Sequence, residues 1–302
     1  MVLFGLGATL LDGPVSEGII HGLKVTAVAI VAHAVWGMAR SLCPDRQRAG
    51  IALAAVFIVI LASGPLGQVV AIVVGGLGGM ALCQTHHEVI VHDLPMPVSA
   101  RVGHMASLVF CALLIGLPLL VWLTPSDIVL VMDAFYRAGA LVFGGGHVVL
   151  PLLDAEVVES GWVSADEFLT GYGGAQAVPG PLFTFAAYLG AVMAPLGGGL
   201  IGAALALLMI FLPGMLLLLA ILPHWNRFRR WDNVQALMRG ANAAVVGILG
   251  AALYHPVWTS AVLGADEFVL ALTGFLLLSV WKMPAWIVVI VLAIGGVLIT
   301  LV

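Results

Sequence analysis

Apolar runs close to 20 residues long recur along this chain, and they limit its fold more than any other feature. A helix needs about 20 apolar residues to cross a bilayer. The runs lie at 22–39, 49–63, 66–83, 105–124, 198–223, 240–260, 267–281 and 284–302. They lack the alternation of polar and apolar residues that is typical of barrel strands. Charged residues make up only 9% of the chain, whereas a soluble protein has roughly 25%. We therefore predict an all-α, polytopic helical membrane protein.

The basic residues predict how this protein is oriented. Counting the crossings places most of them on one face, which the positive-inside rule assigns to the cytoplasm. These residues are Arg40, Arg46, Arg48, Arg101, Arg227, Arg229, Arg230, Arg239 and Lys282. Lys24 begins a span at the opposite face and can snorkel toward water, whereas Arg137 lies within an apolar segment. We predict a multi-pass protein of the cell inner membrane.

Two pairs of segments indicate an internal repeat. The stretch at 22–42 aligns with GANAAVVGILGAALYHPVWTS at 240–260, and the stretch from Pro65 aligns with PAWIVVIVLAIGGVL from Pro284. Internal repeats are common in secondary transporters. We predict two homologous repeats, the first incomplete: a partial repeat at 1–90, a connecting loop and span at 91–127, and a complete repeat at 128–302. The counterpart of 128–213 would precede residue 1, so we expect an N-terminally shortened form of a longer protein.

Two apolar segments are interrupted near their middles. FYRAGALVFGGGHVVLPLL at 135–153 contains three consecutive glycines, and FLTGYGGAQAVPGPLFTFAAYLGA at 168–191 contains Val-Pro-Gly-Pro. Non-helical backbone at membrane depth is tolerated only where it lines a cavity or is buried in protein. Each interruption also creates a helix N-terminus with unpaired N–H groups and a partial positive charge. A pair of such breaks is suited to binding an oxyanion.

The candidate substrate-binding residues lie in and beside these two segments: Arg137, Gly144, Gly145, Gly146, His147, Gln176, Pro179, Gly180, Pro181 and Thr184. Arg137 would supply positive charge, the glycines and Pro181 would shape the helix ends, and Gln176 and Thr184 would donate hydrogen bonds. His147 would be a proton-linked site, because small shifts move the charge of a histidine across neutral pH. Structural alternatives stay open: Arg137 could pair with Asp133, and His147 could be an ordinary interface histidine.

Other patterns point away from metal binding and catalysis. The cluster HHEVIVHD at 86–93 matches no closed zinc site, and no nucleophile–base arrangement or dinucleotide motif is visible. We therefore predict no metal, no cofactor, no nucleic-acid partner and no enzymatic activity. The glycines at 75, 76, 78 and 79 are better explained by close helix packing.

The interrupted segments resemble the chromate transporter (CHR) family of bacterial membrane proteins. The resemblance rests on FGGGHVVLPLL at 143–153, GYGGAQAVPGPLFTFAAYLGA at 171–191 and GLKVTAVAIVAHAVWGMARSLCPDR at 22–46. The chain resembles the long form of the family, which has two homologous halves, from late in the first half onward. The family has short single-domain members that work in pairs, so a homo-oligomer or a second CHR-type chain is an expected partner, together with the lipid bilayer.

The resemblance implies export of chromate from the cytoplasm and hence chromate resistance, with sulfate as a second tetrahedral dianion of similar shape. Two alternatives stay open. The protein could carry a different anion, or a neutral solute, on the same scaffold. It could also be a truncated or partner-dependent membrane subunit with no transport activity of its own.

Overall fold

A computed structural model describes residues 1–8, 13–62, 64–84, 98–124, 126–228 and 231–301. Every regular element in these residues is helical, so the predicted all-α class is confirmed. Within the described ranges, five helical stretches are long and apolar enough to cross a membrane: Pro14–Leu42, Pro65–Leu82, Ala100–Leu123, Gly199–Phe228 and Asp232–Ala261. The chain is therefore a multi-pass membrane protein, as its apolar runs predicted.

The α-helices of the described residues are numbered in chain order. They are α1 (Val2–Ala8), α2 (Pro14–Leu42), α3 (Arg46–Leu61), α4 (Pro65–Leu82), α5 (Ala100–Leu123), α6 (Asp127–Ala140), α7 (Val149–Leu153), α8 (Ala165–Ala175), α9 (Phe185–Val192), α10 (Gly199–Ile221), α11 (Trp225–Phe228), α12 (Asp232–Ala252), α13 (Thr259–Ala261), α14 (Ala265–Ser279) and α15 (Ala285–Leu301). Short 3₁₀ turns precede α7 and α9, and a π-helical turn, Asp154–Val158, follows α7.

The helices fall where the apolar runs are, with differences in length. The run at 22–39 is the inner part of α2, which extends to 29 residues because Pro14 starts it. Proline is favoured in the first helical turn, where its missing N–H leaves no hydrogen bond unmade. The runs at 49–63, 267–281 and 284–302 become helices of 16, 15 and 17 residues. The His-rich stretch at 86–93 lies outside the described residues. No group of three His, Cys, Asp or Glu side chains that could hold a metal occurs in the described part.

The helices of the two aligned regions pack in a reciprocal way. Helix α2 packs on α14 and α15, and α12 packs on α3 and α4. Helices α2 and α12 also contact each other. Each long helix therefore lies against the last two helices of the other aligned region. This exchange is the arrangement expected of two related units, although the division into repeats at residues 90 and 127 stays a prediction.

Glycines allow these reciprocal contacts to be close. A Cβ atom added to Gly240 would meet the backbone of Gly75 and Gly79, and one added to Gly296 would meet the backbone of Gly18 and Gly22. Small residues are the usual means by which membrane helices approach each other. The packing role expected for Gly75 and Gly79 is therefore confirmed. Gly78 has ordinary van der Waals space around it.

The region between α5 and α10 forms two helical hairpins. In the first hairpin, α6 packs against α7 and the following π-helical turn. In the second, α8 packs against α9, and Tyr188 donates a hydrogen bond from its hydroxyl to the Glu167 carbonyl (3.0 Å). Helices α6 and α8 have 14 and 11 residues, about 21 and 16 Å at helical rise. Both are shorter than a hydrocarbon core of about 30 Å, so neither helix alone is long enough to cross the membrane.

Candidate functional site

The tip of the first hairpin is the glycine-rich interruption. Helix α6 ends at Ala140, and the chain resumes as a 3₁₀ turn at Gly146–Val148 that leads into α7. Gly144 has φ +79° and Gly145 has φ +152°, a region that side chains with a Cβ rarely adopt. The glycines therefore permit a sharp reversal here, and the expected break is present.

The tip of the second hairpin is built in the same way. Helix α8 ends at Ala175, and a 3₁₀ turn at Leu182–Thr184 leads into α9. Gly180 has φ +151°. Pro181 occupies the position just before the 3₁₀ turn rather than the first residue of the resumed helix, because its ψ of 133° is extended. The proline thus occupies the N-cap position of the turn.

The two tips lie against each other. The 3₁₀ turn at Gly146–Val148 contacts the 3₁₀ turn at Leu182–Thr184. A Cβ atom on Gly146 would lie 3.8 Å from Leu182 Cβ. His147 Nδ1 is also 2.8 Å from the hydroxyl oxygen of Tyr172, a fully buried residue of α8. The structure therefore brings together two segments that are about 35 residues apart in the chain.

Backbone N–H groups at both tips lack backbone acceptors. Within the described part of the chain, no backbone hydrogen bond is made by the N–H groups of Gly145, Gly146, His147, Leu182 or Phe183. The three tip glycines at 144–146 and the Pro179–Pro181 stretch are exposed. Unpaired N–H groups at helix starts carry partial positive charge and attract anions. The paired tips thus present a set of hydrogen-bond donors without acceptors.

A cleft of about 290 Å³ opens beside the second tip. It is lined by Ala175, Gln176, Ala177, Val178, Pro179, Gly180, Leu182, Ala285 and Trp286. Gln176 is the polar side chain among them, and its Nε2 atom is buried without a hydrogen-bond partner. A buried donor without an acceptor costs about 1–3 kcal/mol. Such a donor in a small cleft is suited to a ligand that brings its own acceptor.

Thr184 and His147 already have partners. The Thr184 hydroxyl donates to the Pro181 carbonyl at 3.0 Å, within its own turn. The His147 ring is half-buried and held by Tyr172, so its Nδ1 atom is occupied and Nε2 is the ring nitrogen left for a ligand. Both residues belong to the paired tips, where the sequence placed them.

Arg137 lies in a different place from the other candidates. Its Nη2 atom donates to Asp133 Oδ2 at 2.8 Å and to Glu156 Oε2 at 3.0 Å. It lines a second cavity of about 330 Å³ together with these two carboxylates. The alternative pairing with Asp133 is thus present, and Glu156 joins it. Nothing in the sequence pattern indicated Glu156, because the contact closes across a hairpin.

Two residues near the tips were missed by sequence reasoning. Asn242 of α12 points toward the first tip, where its Oδ1 would lie 3.6 Å from a Cβ on Gly144. Trp286 of α15 forms part of the cleft wall. A polar residue inside the apolar run at 240–260 was a usable signal for Asn242. Trp286 gave no signal, because tryptophan is common at membrane interfaces.

Two hairpins whose non-helical tips meet place the chain in the class of polytopic membrane proteins with discontinuous helices. The sequence profile of the chromate transporter family matches residues 129–298, more than half of the chain and nearly all of both hairpins. The chain belongs to the chromate transporter family.

Curated relatives support this assignment. The chain is 28% identical over 176 residues to the "Chromate transport protein" of Pseudomonas aeruginosa, covering 56% of this chain and 41% of that protein. It is 31% identical over 120 residues to the "Chromate transport protein" of Cupriavidus metallidurans, covering 39% and 29%. It is 32% identical over 171 residues to the "Uncharacterized transporter YwrB" of Bacillus subtilis, covering 54% and 83%. The chain thus spans less than half of the length of the two chromate transport proteins. No solved structure matches it.

Proposed function

We propose that this protein transports chromate, or the similar dianion sulfate, across the membrane by way of the two contacting hairpin tips and the cleft beside the second tip. The observation that carries the proposal is the meeting of two interrupted helices whose N–H groups have no backbone acceptor. Two relatives named chromate transport proteins and a family profile that covers both hairpins support the choice of substrate.

The chemistry of the tips suits a tetrahedral oxyanion. Such an anion has four oxygens that accept hydrogen bonds, and it loses strong hydration when it leaves water. The N–H groups of the two 3₁₀ turns, the Gln176 amide and His147 Nε2 would replace part of that water. Gly144, Gly145, Gly146 and Gly180 leave the backbone uncovered, Pro179 and Pro181 hold the second tip open, and Thr184 could turn its hydroxyl from Pro181 to the anion. The cleft volume of about 290 Å³ is at the lower end for ligand pockets, as a small ion requires.

Charge at the tips comes mainly from the helix ends. The contact between Arg137 and the anion stays a prediction, because two carboxylates share the guanidinium in this structure. The proposal does not depend on that contact. The proposed direction is outward, from the negative interior of the cell. Moving a dianion outward is favourable by about 4.6 kcal/mol per 100 mV, twice the value for one charge.

The test is uptake of radiolabelled sulfate and of chromate into proteoliposomes that contain the purified chain. Gly145→Ala and Gly180→Ala force an L side chain into φ near +150°, which costs about 1–3 kcal/mol of strain or displaces the tip. We expect at least a tenfold loss of uptake in both variants. Gly116→Ala in α5 is the matched control, since nothing lies within 4 Å of its added Cβ.

The results of this uptake assay distinguish the proposed function from its alternatives. Uptake of chromate that sulfate competes with, and phosphate does not, would support a divalent tetrahedral substrate. Uptake of another anion or of a neutral solute would show that the protein is a transporter with a different substrate. Absence of uptake by the chain alone, with uptake restored by co-expression of a second CHR-type chain, would show a partner-dependent subunit. Full uptake in Gly145→Ala and Gly180→Ala would exclude the tips as the route.

A further inference from the structure

Arg137 joins the two arms of the first hairpin through a pair of carboxylates. Asp133 lies one turn earlier on α6, and Glu156 lies on the π-helical turn of the returning arm. The distances from Nη2 are 2.8 and 3.0 Å, and Nε lies 3.0 Å from Glu156 Oε1. The side chains of both acids are 9% exposed. One half-buried guanidinium therefore serves two buried carboxylates.

The charges of this group do not balance when both acids are ionised. Arginine keeps its charge at every physiological pH, so the sum is then −1. An unbalanced charge on buried carboxylates costs several kcal/mol. One bound proton brings the sum to zero. Two carboxyl groups that share a site commonly hold a single proton for this reason.

The second cavity, of about 330 Å³, opens directly beside the group. Its other lining residues are Pro118, Val121, Leu130, Ala134, Ala155, Ser160 and Trp162, none of which carries charge. Helix α10 has no charged residue, and the charged residue of α5, Arg101, is at the far end of that helix. The charged neighbours on the same hairpin arm are Asp154 and Glu159, and both are acidic. Among the described residues that line this cavity, Arg137 is the only cation, so no second cation there replaces the proton.

The backbone at Glu156 is unusual in a way that suits movement. Asp154–Val158 is a π-helical turn inside the returning arm, and such turns occur frequently at functional sites. The same arm is held at its start by a hydrogen bond of 2.8 Å from Gln68 Nε2 to the Pro151 carbonyl. The Arg137–Glu156 contact is therefore the ionic link that closes the hairpin below its tip.

We propose that the Asp133–Arg137–Glu156 group is a proton-binding site that couples proton movement to the transport of the anion. This inference rests on the proposed function. A proton from water binds a Glu156 carboxylate oxygen and converts −COO⁻ to −COOH, so the charge of the group changes from −1 to 0. The neutral acid holds Arg137 less strongly, and the returning arm and the tip that it carries are freer to move. Release of the proton to the other side restores the ionic link.

The first experiment needs no substrate. Infrared spectra of the purified chain in detergent, recorded as the pH is varied, should show the carbonyl band of a protonated carboxylic acid that is lost as the pH is raised. Glu156→Gln should abolish this band, and Asp127→Asn, which changes an exposed acid at the start of α6, should leave it intact. An unchanged band in Glu156→Gln and in Asp133→Asn would overturn the proposal, whatever the substrate is.

The second experiment measures coupling in proteoliposomes with the membrane potential held at zero. A gradient of one pH unit corresponds to 1.36 kcal/mol for one proton, so we expect up to tenfold accumulation of radiolabelled sulfate. Glu156→Gln should accumulate none while binding sulfate within threefold of the unchanged protein. Asp127→Asn should accumulate it fully. If Glu156→Gln does not fold, Asp133→Asn is measured in its place.

The two proposals fail in different ways. Gradient-driven accumulation in Glu156→Gln, or none in the unchanged protein while it still moves sulfate, would refute the proton site alone. If the unchanged protein showed the infrared band but did not bind sulfate, the tips would be refuted as the anion site. The proton site would still stand. If Asp127→Asn also lost the infrared band and the gradient-driven accumulation, the effect would not be specific to Glu156. That result would overturn the inference.

Discussion

Replacement of Gln176 by methionine tests the candidate cleft most directly, because stability and affinity should change in opposite directions. The Nε2 atom of Gln176 is buried and has no acceptor, which costs the folded state about 1–3 kcal/mol when no ligand is bound. Methionine has a similar length and no buried donor. Gln176→Met should therefore raise the free energy of unfolding without substrate by about 1–3 kcal/mol. At about 2–4 °C per kcal/mol, the melting temperature should rise by about 2–12 °C.

The same change should weaken anion binding. A hydrogen bond to a charged acceptor contributes about 1.5–3 kcal/mol, so its loss should raise the Kd for sulfate by about 10- to 150-fold. Thermal unfolding followed by tryptophan fluorescence, with and without sulfate, measures both effects. Gln84→Met is the control, because Gln84 is exposed and its Nε2 donates to the Met80 carbonyl. A lower melting temperature without sulfate, or an unchanged Kd, would refute the assignment of Gln176 to the anion site.

Two further predictions concern the scaffold. Gly171→Ala should lower the free energy of unfolding by about 1–3 kcal/mol, as overpacking does, because the added Cβ would overlap the Tyr188 ring. The control Gly116→Ala should leave the free energy of unfolding unchanged. Equal melting temperatures of the two variants would show that α8 and α9 can separate at no cost. Asp45→Ala should remove the N-cap of α3, typically about 1 kcal/mol, whereas Asp45→Asn should retain most of it. The capping backbone N–H holds the Asp45 pKa below its usual value of 3.8, so this stabilisation is complete above that pH and is lost as the pH falls through the lowered pKa. Thermal unfolding as a function of pH checks it, and an unchanged melting temperature in Asp45→Ala would contradict the capping role.

Much of the local structure followed from sequence patterns. The apolar runs located the helices, since length and hydropathy alone decide whether a segment can cross a bilayer. The glycine and proline breaks located the tips, since backbone conformation there depends on residue type. The close packing at Gly75 and Gly79 was foreseen for the same reason. These are properties of neighbouring residues, which a pattern can report.

The partners of individual side chains could not be read in this way. Arg137 was expected to face an anion, yet its acceptors are Asp133 and Glu156, and the second of these comes from the opposite arm of a hairpin. Asn242 approaches the first tip only because α12 crosses it. That α6 and α8 pack against their own returning arms is likewise visible only in the structure.

By itself, then, the sequence determined that the chain is a helical membrane protein with two interrupted segments, because hydrophobic length and glycine conformation act within a few residues. Only the tertiary structure decided that the two tips meet, that Gln176 is left without an acceptor, and that Arg137 is shared between two acids. Those facts depend on contacts between segments distant in the chain, where packing rather than local preference selects the neighbour.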